Sequence, residues 1–386
     1  MSHRPLRIGI YTGVLAYKPS GIGWHVIHLL DGLAALDRVN RYYLIHRVPV
    51  GGPDRPLHCP PAANFTNVPL RVPDLFFTRY FRVFDSGVLP ATIRALRLDL
   101  FHGPNHYLPR RGRVPQIVTY HDVADVLFAE GADRTAREAN LRRTLGRADA
   151  VIALSARTLA DLEGFGLTPG RGRVIYQGSN LSSDNRPTPE QTAAARAKFN
   201  LPGRYLLFVG TLVPRKNVPL LIHAFAKLAP GLEPDARLVL AGADDGEEAA
   251  RVRQLVASLG LAGRVVFTGY LTNAELAGLY GGASVFVLPS RYEGFGMILL
   301  EAMAARVPVV STAAGSLPEV VGDAGLLVPP DDPPAMADAV RRVLNSPALA
   351  ADLVARGAVR LAAFSWRTTA EQTLALYREV AGRRSR

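Results

Sequence analysis

Cysteine is almost missing from this chain of 386 residues; Cys59, in Leu57-His58-Cys59-Pro60-Pro61, stands alone. An intrachain disulfide and a thiolate metal cluster are thereby excluded, and a reducing, cytoplasmic setting is expected. Missing too is any apolar run near the ~20 residues that a membrane-spanning helix needs. Residues 1–17 carry basic side chains followed by an apolar stretch, as a secretory leader would. No small-x-small cleavage site follows, and Arg7-Ile8-Gly9-Ile10-Tyr11 reads instead as a first buried strand. Charged residues are scarce at 20% against 48% hydrophobic, so the chain can bury large cores and is not a disordered one.

What charge there is leans positive. The formal net charge is +12, of which +9 falls in residues 1–180 and +3 in residues 181–386, almost all of the excess being Arg. A basic half suits an anionic partner: nucleic acid, a membrane surface or a phosphate-bearing substrate. An Arg-rich codon bias gives the same numbers without any partner.

Short apolar runs alternate with longer amphipathic stretches. Strands are predicted at 7–11, 42–46, 98–102, 116–120, 150–154 and 173–176, then at 205–209, 238–241, 265–268, 284–288, 308–311 and 325–328. Helical periodicity lies between most of them, for instance at 220–228 and 248–259. Alternating strand and helix predicts parallel sheets covered on both faces. Between 178 and 202 the pattern breaks into Gly, Ser, Asn and Pro, then one short helix at 190–199. Two α/β units of similar size result: 1–180, a linker with its helix at 181–202, and 203–366. Their strand ends are expected to form one cleft.

Four segments carry the chemistry. In the first, Arg291-Tyr292-Glu293-Gly294-Phe295-Gly296-Met297 follows a strand and opens a helix that contains Glu301. Gly294 and Gly296 allow backbone N–H groups close to an anion, and the helix start adds free donors and partial positive charge. A diphosphate suits that place. Glu293 can accept from sugar hydroxyls. Glu301, eight residues on and about two turns away, lies on nearly the same face and can grip a ribose. The alternative is a strand–turn–helix with an incidental acidic pair. In the second segment, Gly210 ends a strand and Arg215-Lys216 precede a helix, where a planar fork and a compact charge suit phosphate oxygens; a solvated basic loop is the bland alternative.

The third segment is Pro19-Ser20-Gly21-Ile22-Gly23-Trp24-His25-Val26. It approaches the dinucleotide fingerprint, but Val26 replaces the third glycine and no acid ends the next strand, so a nicotinamide cofactor is not expected. Gly21 and Gly23 can still approach a phosphate or sugar. In the fourth, a strand ends in His121-Asp122. His121 can donate to a sugar hydroxyl or a leaving phosphate, with Asp122 orienting it or acting alone; a structural His-Asp is equally open. Upstream, Phe101-His102-Gly103-Pro104-Asn105-His106-Tyr107 is a similar strand end, and His102, Asn105 and His106 join Asp122 as candidate acceptor contacts.

Together these segments resemble family 4 of the retaining glycosyltransferases, whose GT-B fold has two Rossmann-like doubly wound domains facing across a deep cleft. The motifs are 210–217, 293–303 and Ser311-Thr312-Ala313-Ala314-Gly315-Ser316-Leu317-Pro318-Glu319. The likeness covers nearly the whole chain and is strongest over about 205–328. It implies that residues 1–180 bind acceptor, with a C-terminal helix at about 367–386 packed back on them behind an N-cap at Ser365, and that 203–366 bind the nucleotide sugar. It implies a catalytic set of His121, Glu293, Arg215 and Lys216. Donor contacts would be Gly21, Gly23, Gly210, Arg215, Lys216, Glu293, Gly294, Phe295, Gly296, Met297 and Glu301. A hexose, in the best match mannose from GDP-mannose, would pass with retention to a glycan or lipid-linked saccharide. No residue stands out as a covalent nucleophile, and no Asp-x-Asp is present to hold a metal, so neither metal nor other cofactor is expected. Two departures are Val123, where the family often has Leu, and Tyr176-Gln177-Gly178, where Pro-Asn-Gly is usual.

A sugar-nucleotide epimerase on the same fold would share the phosphate-binding parts. A nucleic-acid-binding protein is the more distant alternative; scattered Arg and no zinc, helix-turn-helix or aromatic-basic motif argue against it. Residues 75–84, Leu-Phe-Phe-Thr-Arg-Tyr-Phe-Arg-Val-Phe, combine aromatics with two Arg. They suit either peripheral contact with the inner face of the cell membrane or packing on the protein's own core.

Overall fold

The structure, a computed structural model, describes residues 4–16, 21–50, 57–73, 83–110, 114–181 and 186–383. The expected membrane-facing stretch falls, from 75 to 82, outside the described residues, as do Pro19, Ser20 and residues 182–185 of the linker.

The chain divides into two compact units, Met1–Gln177 with Ser365–Arg386, and Gly178–Phe364. In the first, seven parallel strands are β1 (Arg7–Tyr11), β2 (Arg41–Pro49), β3 (Phe65–Val72), β4 (Leu100–Gly103), β5 (Gln116–Tyr120), β6 (Ala150–Ala153) and β7 (Gly172–Val174), in the order β3-β2-β1-β4-β5-β6-β7. In the second, β8 (Tyr205–Val209), β9 (Arg237–Ala241), β10 (Val265–Phe267), β11 (Val285–Leu288), β12 (Val309–Thr312) and β13 (Gly325–Val328) lie in the order β10-β9-β8-β11-β12-β13, again parallel. Both sheets are doubly wound and both reverse direction next to their first strand, between β1 and β4 and between β8 and β11. β4, β5, β6, β8 and β11 are buried along their whole length. They are continuous apolar runs because helices cover both faces.

One strand has no counterpart in the sequence pattern. β3, Phe-Thr-Asn-Val-Pro-Leu-Arg-Val, contains Pro69 and alternates poorly. It is an edge strand, bonded to β2 alone, so the missing proline N–H can face away from the ladder.

The expected short helix is Pro189–Lys198, started by a capping box between Thr188 and Gln191. The last helix, Trp366–Gly382, is capped by Ser365, whose Oγ accepts from the Arg367 N–H. It lies against helix Gly21–Leu36, with Trp366 stacked on His28 at a centroid distance of 4.8 Å. It is pinned to the sheet where the Tyr377 hydroxyl meets His102 Nδ1 at 2.6 Å. Tyr42, Tyr205, Tyr280 and Tyr377 are all fully buried, and each hydroxyl has a partner, as a phenol in a core must.

Candidate active site

Because β8 and β11 are neighbours whose connections leave in opposite directions, the loops at their C-terminal ends lie side by side. The first carries Gly210, then Pro214–Lys216, then Asn217 in a left-handed conformation (φ +52°) before helix Val218–Leu228. The second carries Ser290 to Gly296 before helix Met297–Ala304. The Arg291 N–H donates to the Arg215 carbonyl at 2.8 Å and ties the two together. Asn217 Nδ2 and Arg291 Nε both donate to Asp331 Oδ1, at 3.0 and 2.9 Å.

This joint brings Arg215, Lys216 and Glu293 into one cluster. Lys216 Nζ lies 2.6 Å from Glu293 Oε1 and Arg215 Nη1 3.0 Å from Oε2. The Ser290 hydroxyl donates to Oε1 at 2.6 Å, and Arg215 also reaches the Tyr292 carbonyl at 3.4 Å. Burial by itself would raise the Glu293 carboxyl, but the charges of Lys216 and Arg215, and the bonds from Lys216 and Ser290, outweigh it and hold the group below its ordinary value. Glu293 is therefore an ionised carboxylate that already accepts three hydrogen bonds, two at Oε1 and one at Oε2. Two cations meet one anion, so the cluster keeps a net positive charge.

The backbone under this cluster is clamped. Ser316 donates to the Glu293 carbonyl twice, from N at 3.0 Å and from Oγ at 2.9 Å. Gly315 (φ +57°) passes so close that a Cβ there would stand 2.6 Å from the Glu293 oxygen. Beside the other loop, a Cβ on Gly242 would stand 2.5 Å from the Gly210 oxygen. Gly296 (φ +93°) turns the chain into helix Met297–Ala304, whose first N–H groups face the loop. The Phe295 ring is buried against Phe364, centroids 5.6 Å apart, which leaves only its backbone for a donor. Glu301 is buried in the helix; Tyr280 donates to its Oε2 at 3.0 Å and Asn180 to its Oε1 at 2.8 Å.

In the first unit, His121 follows β5 and is buried. Its Nε2 lies 2.9 Å from the Pro104 carbonyl, which can only accept, so Nε2 carries the proton. Burial, then the neighbouring His25 and His106, push its pKa well below the usual value and keep the ring neutral. Nδ1 is then an acceptor, and the donor role expected for this side chain is reversed.

Residues 190–360 match the family model for glycosyl transferases group 1, and residues 19–183 that for glycosyltransferase family 4. O-antigen chain mannosyltransferase B from Escherichia coli is 33% identical over 284 residues, 72% of this chain and 74% of that protein. The chain belongs to the family 4 glycosyltransferases. D-inositol 3-phosphate glycosyltransferase from Acidothermus cellulolyticus is 37% identical over 71% of this chain and 64% of that protein. Among solved structures, sucrose-phosphate synthase from Thermosynechococcus elongatus superposes with a TM-score of 0.79 at 28% identity, over 97% of this chain and 99% of that one. Anabaena HepE in complex with UDP and glucose superposes at 0.74 with 18% identity, over 97% and 100%, and shares the fold. The glycosyltransferase accordingly has the GT-B fold and transfers a sugar from a nucleotide sugar.

Several residues of this glycosyltransferase sit otherwise than their motifs imply. His102 is fully buried with both nitrogens occupied, Nδ1 by Tyr377 and Nε2 by Thr119 at 2.9 Å, so it anchors the C-terminal helix and has nothing left for an acceptor. His106 uses Nε2 to accept the His121 backbone N–H at 2.8 Å and stacks on Tyr120 at 4.8 Å. Asp122 Oδ1 accepts at 2.9 Å from the N–H of Ala124, the first residue of helix Ala124–Leu127. Asn105 Oδ1 is buried without a partner. Gly21 and Gly23 belong to the first turn of helix Gly21–Leu36 rather than to the loop before it.

The sequence motifs did not single out Ser290, Tyr280 or Asn180 as site residues, nor the contact between His25 and Gln177, bonded Nδ1 to Oε1 at 3.0 Å. Ser290, three residues before Glu293, is the one whose spacing was a usable signal. Among the described residues no helix is long and apolar enough to cross a membrane.

Proposed function

We propose that this enzyme transfers mannose from GDP-mannose, with retention and without a metal ion, to a glycan or lipid-linked saccharide acceptor. The observation that carries the reading is the Arg215–Lys216–Glu293 cluster beside the start of helix Met297–Ala304. Breaking the anomeric C–O bond leaves negative charge on the diphosphate. Two cations and the positive end of a helix are placed to stabilise it. Arg carries five N–H donors and Lys three, and the bonds to Glu293 and Tyr292 leave others for phosphate oxygens. These cations supply the neutralisation that a metal gives elsewhere, and the sequence has no Asp-x-Asp.

Retention is what membership of the family implies, and the state of the carboxylates bears on its route. A double displacement needs a carboxylate free to attack. Both Glu293 oxygens are held by cations and both Glu301 oxygens by neutral donors, so, given retention, a front-face departure and attack is the route that fits. Mannose is supported by the name of the E. coli relative. A lipid-linked acceptor would bring the enzyme to the inner face of the cell membrane as a peripheral protein.

The test is a melting screen of GDP-, UDP-, ADP- and dTDP-sugars, followed by NMR of the anomeric centre of the product. GDP-mannose at ~100 times its dissociation constant should add ~2.7 kcal/mol of stability. The product should keep the donor's anomeric configuration, and EDTA should leave the rate unchanged. An inverted product overturns retention, another donor base overturns GDP-mannose, and activity lost in EDTA and restored by Mg2+ overturns metal independence. Co-sedimentation with anionic vesicles tests the membrane contact, which absence of binding overturns.

A further inference from the structure

We propose that Asn180 and Tyr280 are positioning residues that hold the Glu301 carboxylate in the one orientation able to accept both hydroxyls of the donor's ribose. The proposal rests on the reading of Glu301 as the ribose-binding group.

Glu293 and Glu301 are both buried, at 7% and 5% exposure, and are held in opposite ways. Glu293 is surrounded by cations. Among the described residues no ion pair reaches Glu301; each of its oxygens receives one hydrogen bond from a neutral donor. Asn180 comes from the segment that opens the second unit, 121 residues earlier in the chain. Tyr280 comes from the last turn of helix Asn273–Gly282. Its hydroxyl also lies 3.3 Å from the Ile298 carbonyl, so both of its acceptors belong to the helix that carries Glu301. The phenol is fully buried, and burial followed by the nearby Glu301 charge drives its pKa well above the usual value, so it stays a donor throughout the working pH range.

A carboxylate has about four lone-pair directions. Two are taken, one on each oxygen, so one remains on each. Two adjacent hydroxyls, each donating one proton, match that remainder. Without Asn180 or Tyr280 the carboxylate can rotate about its last torsion, and the paired acceptors are no longer aimed together.

The same arrangement makes nucleotide binding sensitive to pH. Burial raises the Glu301 carboxyl to about 7, against the opposing bonds from Tyr280 and Asn180. Protonation turns one acceptor into a donor, so affinity for a ribose falls as pH drops through that range. Tyr280 is the titratable group that faces it; Asn180 does not titrate.

The experiment compares GDP with 2′-deoxy-GDP, and UDP with 2′-deoxy-UDP, by calorimetry between pH 5.5 and 8.5. It uses full-length wild type, Asn180→Ala, Asn180→Ser, Tyr280→Phe and Glu301→Gln. Wild type should prefer the ribonucleotide, and more so at high pH. Each positioning variant should lose about tenfold of that preference, the worth of one hydrogen bond to a charged group. Asn180→Ser should retain part of it. In kinetics the donor KM should rise with kcat little changed, and the pH midpoint of KM should move upward. Should Tyr280→Phe fail to fold, the two Asn180 variants carry the same test from a half-buried position. Preference abolished in Glu301→Gln but intact in the Asn180 and Tyr280 variants would overturn this proposal alone. Preference intact in Glu301→Gln would overturn the ribose reading beneath it.

Discussion

Lys216 Nζ and Glu293 Oε1 lie 2.6 Å apart although 77 residues of chain separate them. The β8/β11 switch, where the two connections leave in opposite directions, sets the two loops side by side and allows the meeting. β8 delivers Lys216, and β11 delivers Glu293, to the same end of adjacent strands.

Glu293→Gln should therefore damage stability as well as catalysis. Lys216 is 8% exposed and would be left buried without a counter-charge. Removing one partner of such a pair costs about 3 kcal/mol or more. Urea unfolding should show that loss, with kcat/KM down at least about a hundredfold, the scale of a lost charge-stabilising contact. A variant within about 1 kcal/mol of wild type would show that the pair contributes little.

Gly315→Ala should act on the same carboxylate without touching it. The site demands φ +57°, and the new methyl would stand 2.6 Å from the Glu293 oxygen and 2.7 Å from its nitrogen. The left-handed conformation alone costs about 1 kcal/mol for a side chain, and the backbone beneath Glu293 must shift as well. Transfer activity should fall severalfold more than at the solvent-facing Gly231, where an added Cβ meets nothing. Equal activity in Gly315→Ala and Gly231→Ala would remove the clamp from the argument.

His102→Phe separates anchoring from chemistry. It leaves the Tyr377 hydroxyl and Thr119 Oγ1 buried without their partner. The expected cost is about 2–4 kcal/mol in urea unfolding, from two unsatisfied groups, with donor affinity unchanged. A donor KM raised as far as in Lys216→Ala would place His102 in the site after all.

The two units should respond to acid with opposite sign. Burial lowers His25 to about 4 and His102 to about 3, so below pH 6.5 the unfolded chain binds protons that the fold refuses. Stability of the first unit is full above that value and should fall by about 2 kcal/mol per histidine by pH 5. Glu301 runs the other way. Its folded value of about 7 exceeds that of an exposed Glu, so its contribution is full below about pH 4.5 and is lost as pH rises through 7. Hydrogen exchange at pH 7.5 and 5.0, corrected for intrinsic rates, should show residues 4–177 losing protection first. Loss of protection beginning in residues 178–364 would contradict this.

Much of this enzyme can be read along the chain. Continuous apolar runs identify parallel strands because burial on both faces leaves no room for alternation, and twelve of the thirteen described strands were visible that way. β3 was not, since Pro69 reads as a break and an edge position excuses it only once the sheet order is known. Gly296 before a helix, the basic pair at 215–216 and the two acids at 293 and 301 marked a candidate anion site by local chemistry alone.

Partners are another matter. Whether Glu293 is free or paired, whether His121 donates or accepts, and whether His102 faces a ligand or Tyr377 depend on contacts across 77, 17 and 275 residues. No local pattern encodes them. Hydrogen bonds and ion pairs act over a few ångströms of space, while periodicity records only which face of an element is apolar. The folded sheet order converts one into the other.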